Sequence, residues 1–162
     1  MNRIEYDDSG ELYISGIKSA CEDEKSHIDR VITVCQDEIK DNISSEQEYN
    51  FFCMSDGPAN SYGGDHSYKI FARAANTLFR ALHQDESVLI HCHMGQSRSV
   101  SVAVAALGRL LDTPRHEAYD LVERYRPQAH PDQLLMGHVS TYIEQHTNRK
   151  PLFREYEERN NE

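Results

Sequence analysis

A cysteine and an arginine with five residues between them follow an apolar run in this 162-residue sequence. The segment from 91 to 99 reads His-Cys-His-Met-Gly-Gln-Ser-Arg-Ser. A short loop that leads into a helix N-terminus turns several backbone N–H groups toward one point, and so makes a cradle for an anion. Gly95 permits the tight backbone turn, and the planar guanidinium of Arg98 can bind two oxygens of a phosphate group.

Cys92 lies at the same positive pole, where a thiol is expected to ionise at neutral pH. A thiolate aimed at a bound phosphoryl group is a nucleophile for covalent phosphate transfer. An isolated cysteine at a strand end is more often a small core residue. The loop context, with Gly95 and Arg98 at matching positions, favours the chemical role for Cys92.

Strands and helices must position this loop. The run Val88–Ile90 predicts a buried strand, and Val100–Leu111, apolar nearly all round, predicts a buried helix. Further strands are predicted at Arg3–Tyr6, Glu11–Ile14, Val31–Cys35 and Tyr49–Met54, the first two as a hairpin. Alternating strands and helices predict a single α/β domain with a central, largely parallel sheet flanked by helices. Ligands bind beyond the carboxyl ends of such strands, which directs attention to the loop after Ile90.

Other segments are predicted to be helical. The polar stretch Ser19–Arg30 predicts an exposed helix, and apolar spacing from Phe71 to Leu82 predicts an amphipathic one. Two more helices are predicted before and after Pro127, which ends the first of them. The expected N-caps are Asp65 or Ser67, then Thr113 ahead of Pro114 at the first helical position, then Asp132.

Charge and composition restrict the partners. The sequence has 17 Lys and Arg against 27 Asp and Glu, a formal net charge of −10. Nucleic acid and acidic membranes are therefore not expected partners. The run Val100–Leu111 contains Gly108 and Arg109, so it is not expected to span a bilayer, and the first ten residues lack the apolar core of a signal peptide. We expect a cytoplasmic protein with reduced thiols.

The pattern HCxxGxxRS at 91–99 resembles the phosphate-binding loop of cysteine-dependent protein phosphatases, and its last serine is similar to the dual-specificity branch. Residues 11–20 and 31–35 resemble the family's early strands. Arg126-Pro127 followed by Pro131-Asp132 is similar to a late Arg-Pro…Pro-Asn segment, with Asp132 where asparagine is usual. The resemblance implies a catalytic domain over residues 1–147, followed by a charged tail over 148–162.

The resemblance also implies roles. Cys92 would attack phosphorus to form a phosphocysteine, Arg98 would bind the phosphate, and Ser99 would donate a hydrogen bond to the sulfur as it leaves. The residues that would supply backbone N–H groups to the phosphate are His93, Met94, Gly95, Gln96 and Ser97. His91 either helps to fix the loop and tune the thiol or is simply a packed histidine at a strand end. No cofactor or metal is implied.

A general acid must protonate the leaving oxygen, and the family pattern places an aspartate after a strand for this purpose. Asp56, which follows Phe52-Cys-Met-Ser, fits that position. Asp65 is the competing candidate, although it also suits the start of the next helix. The mobile loop that carries the acid is expected to close on the substrate.

The substrate is predicted from what the loop lacks. None of its variable positions is lysine or arginine, whereas members of the resembled family that act on phosphoinositides or RNA ends tend to carry basic charge there. Together with the net charge of −10, the resemblance favours phosphotyrosine and phosphoserine or phosphothreonine in proteins, with a small phosphorylated molecule left open. The alternative is a catalytically weak or inactive module that binds phosphoproteins. A zinc site using His91, Cys92 and His93 with His66 or Cys53 is disfavoured, because neighbours along a strand point to opposite faces. Whether Cys21, Cys35 or Cys53 approaches Cys92, and which oligomer forms, are left open.

Overall fold

The elements below come from a computed structural model that describes residues 1–6, 9–57 and 63–148. The strands are β1 (Asn2–Ile4), β2 (Glu11–Ser15), β3 (Arg30–Thr33), β4 (Glu48–Phe51) and β5 (Ser87–His91). The helices are α1 (Ile17–Glu22), α2 (Tyr68–His83), α3 (Arg98–Leu110), α4 (Arg115–Tyr125) and α5 (Gln133–His146), with a 3₁₀ turn at Lys40–Asn42. The charged tail predicted over 148–162 lies outside the described residues except for Asn148.

The five strands form one sheet in the order β1-β2-β5-β3-β4. Only β1 is antiparallel to its neighbour, as the predicted hairpin requires. β5 is central and pairs in parallel with β2 and β3, and its last residue, His91, lies opposite Ser15 and Thr33. The carboxyl ends of the three inner strands therefore meet at one edge, where the loop after β5 begins.

The two faces of the sheet are covered unequally. The four longer helices, α2 to α5, pack on one face, and α1 with the turns after it packs on the other. α3 is buried from Ser99 to Gly108. Its valines and alanines are small enough for close contact with the helices on both sides, so α3 is a fixed base for the loop that precedes it.

The structure corrects two predicted helices. The helix expected at Ser19–Arg30 spans only Ile17–Glu22, because this polar segment has no apolar stripe that could stabilise a longer helix by packing. Its residue Ile28 is buried, but in a turn. Thr113 is not the N-cap of α4. Its N–H closes the end of α3 on the Gly108 carbonyl, and Pro114 caps α4 in an extended conformation.

Other boundaries follow the prediction closely. Ser67, one of the two expected residues, caps α2 by accepting from the Ile70 N–H, and Asp132 caps α5 by accepting from the Leu134 N–H. The strand expected at Tyr49–Met54 ends at Phe51, and Met54 forms an isolated bridge with Asp65 instead. Within the described part of the chain, no helix has the length and apolar character needed to cross a membrane.

Candidate active site

Cys92 directly follows the central strand and is 2% exposed. Its Sγ accepts a hydrogen bond from the Gly95 N–H at 3.2 Å and lies 3.2 Å from the Ser99 Oγ. The Gly95 N–H and the Ser99 hydroxyl are both groups that can donate a hydrogen bond to the sulfur. The structure thus brings together the two residues that the sequence proposed as nucleophile and as donor to the leaving sulfur.

The peptide carbonyls of the loop point outward. Every carbonyl oxygen from Cys92 to Ser97 accepts a hydrogen bond from a group that is not part of that stretch. The carbonyls of Cys92, His93 and Met94 accept from His91 Nδ1, Ile17 N and Arg126 Nη2 at 3.1, 2.9 and 3.4 Å. The carbonyls of Gly95, Gln96 and Ser97 accept from Arg126 Nε, His130 N and Ser101 N at 2.6, 2.8 and 2.8 Å. Across a trans peptide the carbonyl and the next N–H point in opposite directions. The N–H groups from His93 to Arg98 therefore face inward.

These inward N–H groups form an anion cradle beside the sulfur. The stretch includes all the residues that the sequence proposed as backbone donors, and it extends by one residue to Arg98. Gly95 makes the wrap possible with a φ of +68°. A Cβ there would lie 2.6 Å from the Ser15 carbonyl carbon and 2.7 Å from the Gly16 nitrogen, so no other residue fits.

Arg98 is the first residue of α3 and is half-buried. Its Nη1 donates to the Gln36 Oε1 at 2.5 Å and to the Met54 carbonyl at 3.1 Å. Among the described residues, the Nε and Nη2 atoms of this guanidinium have no protein acceptor. That edge is the one that can bind two phosphate oxygens in parallel, while Nη1 holds the group in place.

His91 is fully buried at the end of β5, and its hydrogen bonds fix its tautomer. Nδ1 faces the Cys92 carbonyl at 3.1 Å and must donate, because a carbonyl only accepts. Nε2 is then the acceptor and receives the hydroxyl proton of Thr33 at 2.6 Å. The Tyr49 hydroxyl donates to Thr33 at 2.8 Å and accepts from the Ile39 N–H at 3.1 Å. A directed chain of hydrogen bonds thus runs from Ile39 to the nucleophile's carbonyl.

Burial lowers the pKa of His91 from 6.5 to about 4, so the ring is neutral at physiological pH. A neutral ring supports the loop by hydrogen bonding and adds no positive charge beside Cys92. His91 is packed at the strand end and is also bonded to the loop, and its effect on the thiol stays a prediction.

Asp56 follows Met54 and Ser55 on the segment that leaves β4. One carboxylate oxygen, Oδ1, is buried and has no hydrogen-bond partner among the described residues. The residues before and after it both reach the phosphate loop: the Met54 carbonyl accepts from Arg98 at 3.1 Å, and Gly57 lies against the carboxylate of Asp132. The Asp132 N–H in turn donates to the Ser97 Oγ at 2.9 Å. Asp56 is therefore carried by a segment that is held beside the cradle.

Asp65 has different surroundings. It is exposed, and its Oδ1 accepts from the Ser67 N–H at 2.8 Å. That backbone hydrogen bond, together with one from the Ser67 side chain, lowers the pKa of Asp65. A carboxylate stabilised in its charged form at the start of α2 is a poor source of a proton.

Some residues of the site were not proposed from the sequence. Gln36 lies three residues past the end of β3, the strand that neighbours β5, and the rule that ligands bind beyond strand ends could have singled it out. Arg126, at the end of α4, is 6% exposed. The Arg126-Pro127 pair resembles the family's late segment, but no role was predicted for this arginine from the sequence. Met94 is the opposite case, since 62% of this apolar residue is exposed on the loop itself.

The remaining cysteines are free thiols, and Cys35 is the buried one among them. Burial raises the pKa of Cys35 to about 11, and the charges of Arg98 and Cys92 also act on it, which places its sulfur near the site. The proposed zinc ligands do not converge: His91 bonds to Thr33 inside the protein, whereas His93 is exposed. Within the described ranges, no group of three or more His, Cys, Asp or Glu is placed to hold a metal ion.

Comparisons with known proteins identify the family and the fold. Residues 12–145 match the family described as dual specificity phosphatase, catalytic domain. Human dual specificity protein phosphatase 9 is 35% identical over 82 residues, which are 51% of this chain and 21% of that protein. Human DUSP28 has a TM-score of 0.73 at 18% identity, covering 90% of this chain and 96% of that one. The human tyrosine phosphatase-like serine/threonine/tyrosine-interacting protein has a TM-score of 0.65 at 18% identity, covering 81% of this chain and 89% of that one.

The fold is that of the cysteine-dependent phosphatases, with the loop between the central strand and a buried helix as its site. Within that class, the match over residues 12–145 shows that the chain belongs to the dual specificity phosphatase catalytic-domain family. The resemblance and the fold expected from the sequence are both confirmed. The matched region spans about a fifth of the length of dual specificity protein phosphatase 9.

Proposed function

We propose that this protein hydrolyses phosphomonoesters on protein side chains, phosphotyrosine as well as phosphoserine and phosphothreonine, through a phosphocysteine on Cys92. The observation that supports this most directly is the outward orientation of every loop carbonyl from Cys92 to Ser97. It turns the N–H groups from His93 to Arg98 inward, with the Gly95 N–H bonded to the sulfur. Such preorganised donors stabilise the charge that develops on a transferring phosphoryl group. The unoccupied edge of the Arg98 guanidinium adds a two-point contact for the same oxygens.

In the first step the Cys92 thiolate attacks phosphorus. The S–P bond forms while the P–O bond to the leaving group breaks, and the carboxyl of Asp56 gives its proton to the leaving oxygen. In the second step water attacks phosphorus and passes a proton to the Asp56 carboxylate. The S–P bond breaks, the thiolate returns with a hydrogen bond from Ser99, and inorganic phosphate leaves.

Two features of the loop support a protein substrate. Its variable side chains, at 93, 94, 96 and 97, include no lysine or arginine that would attract a multiply charged headgroup. Met94 instead presents an apolar side chain, 62% exposed, two residues after the nucleophile. Such a surface suits the ring of a phosphotyrosine or the backbone of a peptide better than an inositol phosphate.

The first test is hydrolysis of an aryl phosphate in EDTA by the wild-type protein and by Cys92→Ser. We expect activity that survives chelation and falls by about four orders of magnitude or more in the variant, because a serine hydroxyl does not ionise there. Orthovanadate should still bind the variant. Turnover by Cys92→Ser at a rate near wild type would rule out the phosphocysteine. Phosphotyrosine and phosphothreonine peptides, compared with phosphoinositides, then test the substrate class.

A phosphoprotein-binding module is the second candidate. It is favoured by the likeness to the human tyrosine phosphatase-like interacting protein, whose fold is shared at a TM-score of 0.65. A wild-type protein that binds vanadate and phosphopeptides but hydrolyses neither peptide nor aryl phosphate would establish this second function.

A further inference from the structure

Arg126 is a buried arginine at the C-terminal end of α4, far from Cys92 in sequence. Its guanidinium donates to the Gly95 carbonyl from Nε at 2.6 Å and to the Met94 carbonyl from Nη2 at 3.4 Å. From Nη1 it donates to the Asn2 Oδ1 at 2.6 Å and to the Ile14 carbonyl at 3.3 Å. The group thus joins the middle of the phosphate loop to the first two strands of the sheet.

Arg126 differs from most of the other outward donors. The carbonyls of His93, Gln96 and Ser97 are held by backbone N–H groups, which any sequence could supply. At Met94 and Gly95, where the chain turns through a positive φ, a single side chain holds two consecutive carbonyls. The peptide that carries the Gly95 N–H is one of these, and that N–H points at the Cys92 Sγ.

We propose that Arg126 is a positioning residue for the phosphate chemistry. It holds the two central peptides of the loop so that their N–H groups point at the sulfur and at the bound oxyanion. The inference rests on the proposed function only in taking a phosphoryl group as the anion. The planar fork of arginine can hold two carbonyls and a strand at once, which the single ammonium group of lysine cannot do with the same geometry.

The charge of Arg126 is a second part of the argument. Among the described residues, no carboxylate lies within ion-pair distance of this buried guanidinium. Burial lowers the pKa of Arg126, and the nearby Cys92 acts in the opposite direction. An arginine remains charged at neutral pH even when buried, so its unpaired charge adds to the positive potential around the thiolate.

The experiment compares Arg126→Met and Arg126→Lys with Arg109→Met. Arg109 is a control for lost stability: it bonds to Asn76 and Tyr142 and lies 3.8 Å from the centre of the Phe79 ring, away from the loop. Three quantities are measured for each protein: the melting temperature, the inhibition or binding constant of orthovanadate, and the pH dependence of Cys92 alkylation by iodoacetamide. Vanadate binding and alkylation need no turnover, so they test Arg126 even if the protein hydrolyses nothing.

We expect Arg126→Met to weaken vanadate binding by roughly 10- to 100-fold, less than the roughly 10²- to 10³-fold cost of removing an oxyanion donor itself, because Arg126 only orients the donors. Its alkylation midpoint should move to higher pH. Arg126→Lys should keep the alkylation midpoint near that of the wild type, because the charge remains, but should still lose vanadate affinity. Arg109→Met should lower only the melting temperature.

Two results would overturn the proposal. One is an Arg126→Met protein that melts earlier but binds vanadate and alkylates as the wild type does. The other, decisive if Arg126→Met does not fold, is an Arg126→Lys protein with unchanged vanadate affinity. If the wild-type protein hydrolyses nothing but Arg126→Met still weakens vanadate binding, the proposed phosphatase activity is refuted and the positioning role of Arg126 is supported.

Discussion

The phosphate loop and the segment that carries Asp56 lie beside each other but are held very differently. In the loop, every carbonyl from Cys92 to Ser97 has a hydrogen-bond donor, and the side chain of Ser97 is bonded as well. The backbone of the acid segment is anchored through Met54 and Gly57, and Ser55 between them donates from its N–H to the Asp65 carbonyl at 3.0 Å and from its Oγ to the Gly57 carbonyl at 3.3 Å. Between these points the buried Oδ1 of Asp56 has no partner among the described residues.

The difference follows from what each part has to do. Donors that stabilise a transferring phosphoryl group act most strongly when they are already oriented before the substrate arrives. A general acid must instead gain and lose a proton and approach different leaving groups, and a carboxylate already satisfied by the protein would do this poorly. Asp65 is less suited to act as the general acid, because its carboxylate already accepts a hydrogen bond from the Ser67 N–H.

The largest effect on the rate is expected when a methyl group is added to the phosphate loop, and the matched control adds one to the acid segment. Gly95→Ala should reduce kcat/KM by about 10³-fold or more, because its Cβ would meet backbone atoms 2.6 and 2.7 Å away and tilt the cradle. Gly57→Ala, also at a positive φ, would meet only the Asp132 side chain at 3.0 Å. We expect a loss of about tenfold or less there. Equal losses would show that the two regions are equally constrained.

Removal of the acid should have the next largest effect. Asp56→Asn should lower kcat by about 10²- to 10³-fold on a phosphopeptide and far less on an aryl phosphate with an activated leaving group, which needs no proton. Asp65→Asn is the matched control and should leave both rates near wild type. If Asp56→Asn slows the two substrates equally, or if Asp65→Asn shows the leaving-group dependence, the acid has been assigned wrongly.

Because His91 is neutral in the folded protein, the free energy of unfolding should depend on pH. The pKa of His91 falls from 6.5 to about 4 on folding, so the unfolded chain binds the extra proton between these values. Stability is then complete above about pH 6.5 and declines by about 3 kcal/mol as the pH falls to about 4. Denaturant unfolding of wild type and His91→Gln at several pH values measures this. Parallel curves for the two proteins over that range would contradict it.

The smallest effect is expected along the hydrogen-bond chain behind His91. Thr33→Val removes the hydroxyl that fixes the tautomer of His91 and leaves Nε2 buried without a donor. We expect kcat/KM to fall by about 3- to 10-fold with a loss of about 1–3 kcal/mol in stability. Tyr49→Phe, one bond further from the loop, should change the rate less. A larger effect from Tyr49→Phe than from Thr33→Val would show that the chain does not act through His91.

The sequence was sufficient where local pattern and chemistry coincide. The apolar run of β5, the apolar helix α3 and the spacing of Cys92 and Arg98 predicted the strand, loop and helix, whereas the assignment of Asp56 as the general acid stays a prediction. The partners of the loop were not predictable in this way. Arg126 and Gln36 reach the site through tertiary packing, and neither the Arg126-Pro127 pair nor the strand end before Gln36 shows which groups these side chains contact. The helix predicted from the polar stretch after Ser19 was too long, because a segment without an apolar stripe does not indicate where its helix ends.

The contact between Arg126 and Asn2 joins residues 124 positions apart and has a consequence for how the protein is made. A chain is synthesised from its N-terminus, so Cys92 leaves the ribosome well before Arg126, His130 and Asp132. Until those residues arrive, the loop lacks the donors for its central carbonyls. We therefore expect the loop around Cys92 to reach its final geometry only when α4 and the start of α5 have docked, so that Cys92 of the growing chain lacks its anion cradle until then.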